Sequence, residues 1–123
     1  MQVKRIDKIP FKYKSVLKTE WLKGNMPTVK KGIYGGKLTP DTISLEHILP
    51  KSKKGKTTLN NLALANRQLN ELRGNRPLMF FLDKDKFIEY LEQFKDVKLP
   101  NFNGPEYIKN IIKTVIVVLE NGK

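Results

Sequence analysis

The sequence predicts an α+β fold in one domain: a strand–loop–strand–helix core at about residues 42–75, flanked by N-terminal and C-terminal helices. Apolar residues alternate over Thr42–Leu49, which is typical of a strand. On both sides of the core, apolar residues recur at helical spacing instead. The 123 residues, of which 39% are hydrophobic, suffice for one core but not for two ordinary domains.

The N-terminal segment, residues 1–41, is basic and is predicted to be helical in part. Phe11–Lys23 has apolar residues near helical spacing, and Gly24 with Asn25 forms a stop signal. The paired lysines and paired glycines within residues 30–36, followed by Pro40, predict a connecting segment before the first strand.

The core comprises residues 42–75. Thr42–Leu49 is predicted as the first strand, and Lys51–Thr58 as a polar, lysine-rich loop. The short apolar run Leu62–Leu64 predicts the second strand. Asn66–Leu72 predicts a short helix that ends at Gly74.

The C-terminal segment, residues 76–123, is predicted to be a helical scaffold. Asp83–Phe94 places apolar residues on one helical face, and so does Pro105–Leu119. The β-branched residues of Thr114–Leu119 leave a strand as an alternative there. The aromatic residues of this segment are predicted to lie in the core: Phe80, Phe81, Phe87, Tyr90 and Phe94.

The charge of the chain is strongly positive. There are 24 Lys and Arg residues against 12 Asp and Glu, a formal net charge of +12. Residues 1–40 hold ten basic and two acidic residues, and residues 41–82 hold seven and three, whereas residues 83–123 hold seven of each. The basic two thirds favour a nucleic-acid partner, with simple solubility as the alternative. Charge alone does not separate DNA, RNA and anionic lipid.

Several classes of protein are excluded by composition. The chain has no cysteine, which excludes disulfides, thiolate catalysis and zinc sites built from cysteine. Its apolar runs are far shorter than the roughly 18 residues that a membrane span needs. Met1–Pro10 is charged and no apolar stretch of a signal peptide follows, so we expect a cytoplasmic protein without a membrane partner.

One histidine occurs in the chain, His47, between Glu46 and the apolar pair before Pro50. On a strand, Glu46 and His47 point to opposite faces. An imidazole has an ordinary pKa of about 6.5, which suits it to deprotonate a water molecule at neutral pH. Glu46 and Asn70 offer the hard oxygen ligands that Mg²⁺ or Mn²⁺ prefer.

Residues 45–75 resemble the ββα-metal motif of HNH endonucleases, in particular of HNH domains without a zinc ribbon, such as those of modification-dependent restriction enzymes. The motif reads Glu-His-Ile-Leu-Pro at residues 46–50, then a loop rich in Ser, Lys and Gly, then Asn-Leu at residues 61–62. Asn70 follows, with Arg-Gly at residues 73–74. The resemblance covers about a quarter of the chain.

The resemblance assigns a role to each matching residue. Glu46 takes the place of the metal-binding acid, and His47 that of the general base that activates the attacking water. Asn61 takes the place of the residue that braces the loop and orients the base, and Asn70 that of the last metal ligand. The implied cofactor is one divalent cation, Mg²⁺, with Mn²⁺ or Ni²⁺ as alternatives, and the implied product carries a 5′-phosphate.

The resulting prediction is a single HNH nuclease domain that nicks or cuts DNA as a monomer or homodimer, in the cytoplasm of a bacterial or phage-infected cell. Because cysteine pairs are absent, the hairpin must be held by apolar packing. The apolar residues expected to hold it are Leu45, Ile48, Leu62, Leu64 and Leu69. The basic residues expected to bind DNA are Lys51, Lys53, Lys54, Lys56, Arg67 and Arg73. A non-catalytic nucleic-acid-binding module with the same fold, and a protein whose partner is another protein, are the alternatives.

Overall fold

The computed structural model describes residues 16–121, and over these residues the fold is α+β, as predicted. The described helices are residues 16–22 (α1), Arg67–Arg73 (α2), Lys84–Glu92 (α3) and Gly104–Glu120 (α4). The described strands are Lys31–Gly32 (β1), Gly35–Lys37 (β2), Ile43–His47 (β3), Leu62–Asn66 (β4), Lys98–Leu99 (β5) and Phe102–Asn103 (β6). They form three antiparallel pairs, β1 with β2, β3 with β4, and β5 with β6.

The hairpin of β3 and β4 lies at the centre of the core. Its register pairs Ile43 with Asn66 at one end and His47 with Leu62 at the other, so His47 is the last paired residue of β3. The apolar packing expected of this hairpin is present. Ile48, Leu62 and Leu64 are fully buried, and Leu45 and Leu69 pack against the same core.

Helix α2 follows β4 without a linker because Asn66 both ends the strand and caps the helix. The Asn66 side chain accepts hydrogen bonds from Gln68 N (3.0 Å) and Leu69 N (3.3 Å), which satisfies free amides of the first turn. Its Nδ2 donates to Lys37 O (2.9 Å), which ties the cap to β2. The strand therefore runs two residues beyond the predicted Leu62–Leu64, and the chain reverses into a helix lying against β3.

The segment before β3 was predicted as a connection leading to the first strand, but it contains two strands of its own. It contains β1 and β2, a short hairpin in which Gly35 and Gly36 have positive φ angles of 82° and 78°. A Cβ on Gly32 would lie 2.7 Å from Ala65 Cα, so this glycine allows β1 to approach β4 closely. Gly36, one of the paired glycines that indicated a connection, likewise lies close to β4, since a Cβ there would be 2.9 Å from Asn66 Cβ.

The N-terminal helix prediction, Phe11–Lys23, is met over residues 16–22, and residues 11–15 lie outside the described part of the chain. Leu17 is fully buried in the core. The indole nitrogen Nε1 of Trp21 donates to Val29 O (2.7 Å), which fastens α1 to the chain that leads into β1.

The C-terminal segment supports β4 through two buried tyrosines. Tyr90 Oη accepts a hydrogen bond from Leu64 N (2.9 Å), and Tyr107 Oη donates to Leu62 O (2.8 Å). These bonds pair polar groups on the edge of β4 that would otherwise be buried without partners. The scaffold helices therefore hold the strand that precedes α2 in a fixed position.

Two details of the C-terminal prediction are wrong. The strand alternative for Thr114–Leu119 fails because α4 continues to Glu120. Phe80, predicted to be in the core, is 77% exposed, since the turn Leu78–Phe80 directs Leu78 inward and Phe80 outward. The short pair of β5 and β6 was not predicted, because two-residue strands carry no measurable periodicity.

Within residues 16–121, no helix has both the length and the apolar character needed to cross a membrane.

Candidate functional site

His47 lies at the loop end of the central hairpin, where β3 leads into the lysine-rich loop. Its side chain is partly buried, and its Nε2 lies 3.0 Å from Thr57 Oγ1, on the returning side of the loop. This hydrogen bond fixes the orientation of the ring relative to the loop. The imidazole is therefore tied to the returning side of the lysine-rich loop.

Asn61 closes the loop from within. Its Oδ1 accepts from Leu49 N (2.8 Å), and its Nδ2 donates to Leu49 O (3.0 Å) and to Lys56 O (2.9 Å). The side chain is buried, with 7% of the residue surface exposed. The Asn61 amide thus joins Leu49, two residues after His47, to Lys56 in the loop. The HNH resemblance implies a bracing residue at position 61.

Replacing Asn61 with alanine is expected to lower the free energy of unfolding by about 2–3 kcal/mol, because three hydrogen bonds at about 1 kcal/mol each are lost. Urea unfolding followed by the fluorescence of Trp21, the only tryptophan of the chain, measures this. Asn60→Ala is the matched control, since Asn60 is exposed and accepts from Thr114 through its main-chain oxygen. Equal losses in the two variants would contradict the bracing role.

Glu46 is not directed toward His47 but into the core. Its Oε2 accepts a hydrogen bond from Arg73 Nη1 (2.9 Å) and one from the hydroxyl of Tyr34. Burial raises the pKa of the Glu46 carboxyl, against the opposing effect of the hydrogen bonds from Tyr34 and Arg73. Burial likewise raises the pKa of the Tyr34 phenol, which stays protonated and remains a donor.

Asn70 joins α2 to β3. Its Nδ2 donates to Ser44 Oγ (3.1 Å) and to Leu45 O (3.1 Å). Because Arg73 follows three residues later, both side chains lie on the helix face that packs against β3. The structure thus brings Asn70 and Glu46 to the same side of the hairpin. Because side chains alternate along a strand, the His47 side chain points to the opposite face from Glu46.

The two predicted metal ligands do not fit a divalent cation in this arrangement. Glu46 would have to leave Arg73, whose side chain is 1% exposed, and this would leave a buried guanidinium without its counter-charge. Within residues 16–121, no cluster of three or more His, Cys, Asp or Glu side chains forms a cation site. Asn70 alone would supply one neutral oxygen, which is a weak basis for Mg²⁺ binding.

The basic residues of the core divide into two groups. Lys51, Lys54 and Lys56 are exposed, Lys53 is partly exposed, and Arg67 is exposed at the start of α2. Arg73, by contrast, is buried against Glu46, so the expectation that it contacts DNA does not agree with its position. Ser52 Oγ donates to Asn75 Oδ1 (3.1 Å), which holds the lysine-rich loop near the end of α2.

No protein-family model, curated protein or solved structure matches the chain significantly.

Sequence reasoning missed three contacts of this site. Tyr34 lies in a segment predicted to be a plain connection, and nothing in the sequence indicated its hydrogen bond to Glu46. Arg73 was noticed for its charge and predicted to bind DNA, not to pair with Glu46. Thr57 belongs to a polar loop in which no pattern singled out one hydroxyl as the partner of His47. All three depend on tertiary contacts rather than on local spacing.

Proposed function

We propose that the chain is an endonuclease that hydrolyses phosphodiester bonds of DNA, with His47 as the general base. The observation that carries this proposal is the place of His47, partly exposed at the end of β3 and hydrogen-bonded to a loop whose lysines face solvent. A DNA backbone attracted to Lys51, Lys54 and Lys56 would bring a phosphate toward the imidazole. The resemblance of residues 45–75 to HNH endonucleases supports the same reaction.

In the proposed reaction, neutral His47 accepts a proton from a water molecule as its oxygen attacks phosphorus. The new P–O bond forms as the bond from phosphorus to the 3′ oxygen breaks, and the 3′ oxygen takes up a proton from solvent. The cut strand then carries a 5′-phosphate and a 3′-hydroxyl. Thr57 orients the ring, and the loop lysines offset the phosphate charge.

The test is cleavage of supercoiled plasmid by the wild type and by His47→Ala, with Mg²⁺, Mn²⁺ or EDTA. Nicked or linear product that requires His47 and carries a 5′-phosphate supports the proposal, and loss of product in EDTA supports the expected divalent cofactor. Equal cleavage by the two proteins would rule out His47 as the base. The ratio of nicked to linear product bears on whether the active species is a monomer or a homodimer.

A non-catalytic nucleic-acid-binding module is the second candidate. It is favoured by the pairing of Glu46 with Arg73, which commits a predicted metal ligand to the core. In this case the wild type would retard plasmid in a gel without forming product under any cation condition. His47→Ala would then bind DNA as the wild type does.

Replacing Lys51, Lys53, Lys54 and Lys56 with glutamine is expected to flatten the salt dependence of DNA binding. The slope of log K against log[salt] is negative, and each phosphate contact contributes about 0.9 to its magnitude. Loss of four contacts would therefore reduce that magnitude by about 3.6. Fluorescence anisotropy with a labelled duplex over a series of salt concentrations measures the slope.

The matched control replaces four exposed lysines of the C-terminal segment, Lys84, Lys98, Lys109 and Lys113, with glutamine. This variant has the same net charge as the loop variant. If both variants change the slope equally, DNA is attracted by the overall charge and the loop is not the binding surface.

A further inference from the structure

A buried polar cluster adjoins His47, and none of its side chains takes part in the bond-making steps of the proposed reaction. It consists of Tyr34, Glu46 and Arg73, which come from the β1–β2 turn, from β3 and from the end of α2. Arg73 Nη1 lies 2.9 Å from Glu46 Oε2 and 3.0 Å from the Tyr34 hydroxyl, which also donates to Glu46. The three residues are 4%, 7% and 1% exposed, in chain order.

The same guanidinium extends to the main chain of His47. Arg73 Nη1 donates to His47 O (3.2 Å), and Arg73 Nε donates to Arg76 O (3.0 Å). One buried cation therefore holds the residue that bears the imidazole, the carboxylate before it and the turn that follows α2. Hydrogen bonds of this kind are strong in a medium from which water is excluded.

Tyr34 is itself held by the core. Its ring meets that of Phe81 edge to face, with 4.8 Å between the ring centroids. The Tyr34 hydroxyl is thus held in position to donate to Glu46, and the Glu46 carboxylate in turn accepts from Arg73. Removing the Glu46 carboxylate would take the counter-charge from Arg73, the guanidinium that also donates to the main chain at the end of β3.

We propose that Glu46 is a positioning residue that holds Arg73 on the main chain of His47, and that it is not a ligand of a divalent cation. This inference rests on the proposed function of His47. It differs from the role that the HNH resemblance implies, in which this acid binds the metal. Arg73 and Tyr34 are positioning residues for the same reason, since neither reaches the surface where DNA would bind.

The experiment uses Glu46→Gln, Arg73→Lys and Tyr34→Phe in the full chain, with Glu71→Gln on the exposed side of α2 as control. Cleavage kinetics are measured over a range of Mg²⁺ concentrations. We expect Glu46→Gln to lower kcat about tenfold while KM and the Mg²⁺ concentration for half-maximal rate change less than about twofold. Arg73→Lys, which keeps the charge but not the planar fork, is expected to retain part of the activity.

A rise of about tenfold in the half-maximal Mg²⁺ concentration for Glu46→Gln, with no change in Arg73→Lys, would overturn the proposal. That pattern is expected of a metal ligand, not of a positioning residue. Tyr34→Phe removes one hydroxyl and leaves the ring, so it remains informative if the Glu46 variant fails to fold. Loss of activity in Tyr34→Phe through kcat alone supports the proposal, and wild-type activity contradicts it.

A second measurement is independent of cleavage, and so separates failure of this inference from failure of the proposed function. His47 is the only histidine, so the imidazole gives one assignable set of resonances in the NMR spectrum of the full chain. We expect this set to shift in Glu46→Gln and Tyr34→Phe and to stay in place in Glu71→Gln. Any broadening by added Mn²⁺ should be the same in the wild type and in Glu46→Gln, whereas broadening of the wild type alone would overturn the proposal.

Discussion

Replacing His47 with alanine is expected to lower the rate of DNA cleavage by about 10²–10⁴-fold, the usual contribution of a general base. The affinity for the same DNA should change by no more than about threefold, because binding is dominated by contacts between phosphates and lysines. Rates of plasmid nicking under single-turnover conditions and a gel-shift titration measure the two quantities on one preparation. Cleavage lost together with binding would instead assign His47 a structural role.

Two further variants make this prediction sharper. Thr57→Val removes the hydroxyl that lies 3.0 Å from His47 Nε2 and should cause a smaller loss of rate, because the base remains and only its orientation is loosened. Added imidazole should restore part of the rate of His47→Ala, since a free base can enter the space left by the side chain. A preparation of His47→Ala that cleaves at the wild-type rate would show that another group, or another protein, performs the reaction.

The central elements could be predicted because their patterns are local. Alternation placed β3, helical spacing placed α3 and α4, and the burial of Ile48, Leu62 and Leu64 agrees with the packing expected of the hairpin. The hairpin of β1 and β2 could not be predicted in this way. Its pairing depends on glycines that permit left-handed backbone and close contact with β4, and the same residues are typical of loops.

The candidate site was predictable in its residue types but not in its pairing. His47 and Asn61 stand out in the sequence by identity and spacing, and the side chains of both form hydrogen bonds with the loop between β3 and β4. Glu46 and Arg73 were also noticed, but as a metal ligand and a DNA contact. Their ion pair joins residues 27 positions apart, and Tyr34 adds a partner 39 positions from Arg73. No pattern of neighbouring residues in the sequence predicts such a contact.

Replacing Arg73 with methionine is expected to lower the free energy of unfolding by about 3–5 kcal/mol. The loss is large because Glu46 would remain buried without its counter-charge, while a methionine of similar length fills much of the space. Urea unfolding followed by Trp21 fluorescence measures the change. Arg76→Met is the control: Arg76 is exposed and its side chain donates only to Leu72 O (2.8 Å) among the residues described, so a loss below about 1 kcal/mol is expected.

The double variant Glu46→Gln with Arg73→Met separates the energy of the pair from the cost of an unpaired charge. Because a neutral amide can still accept from the Tyr34 hydroxyl, we expect it to be more stable than Arg73→Met alone, as replacing both partners of a buried ion pair often costs little. Additive losses would mean that the two side chains stabilise the core independently. If the double variant recovers stability while cleavage stays low, the ion pair is retained for the geometry of His47 rather than for the stability of the fold.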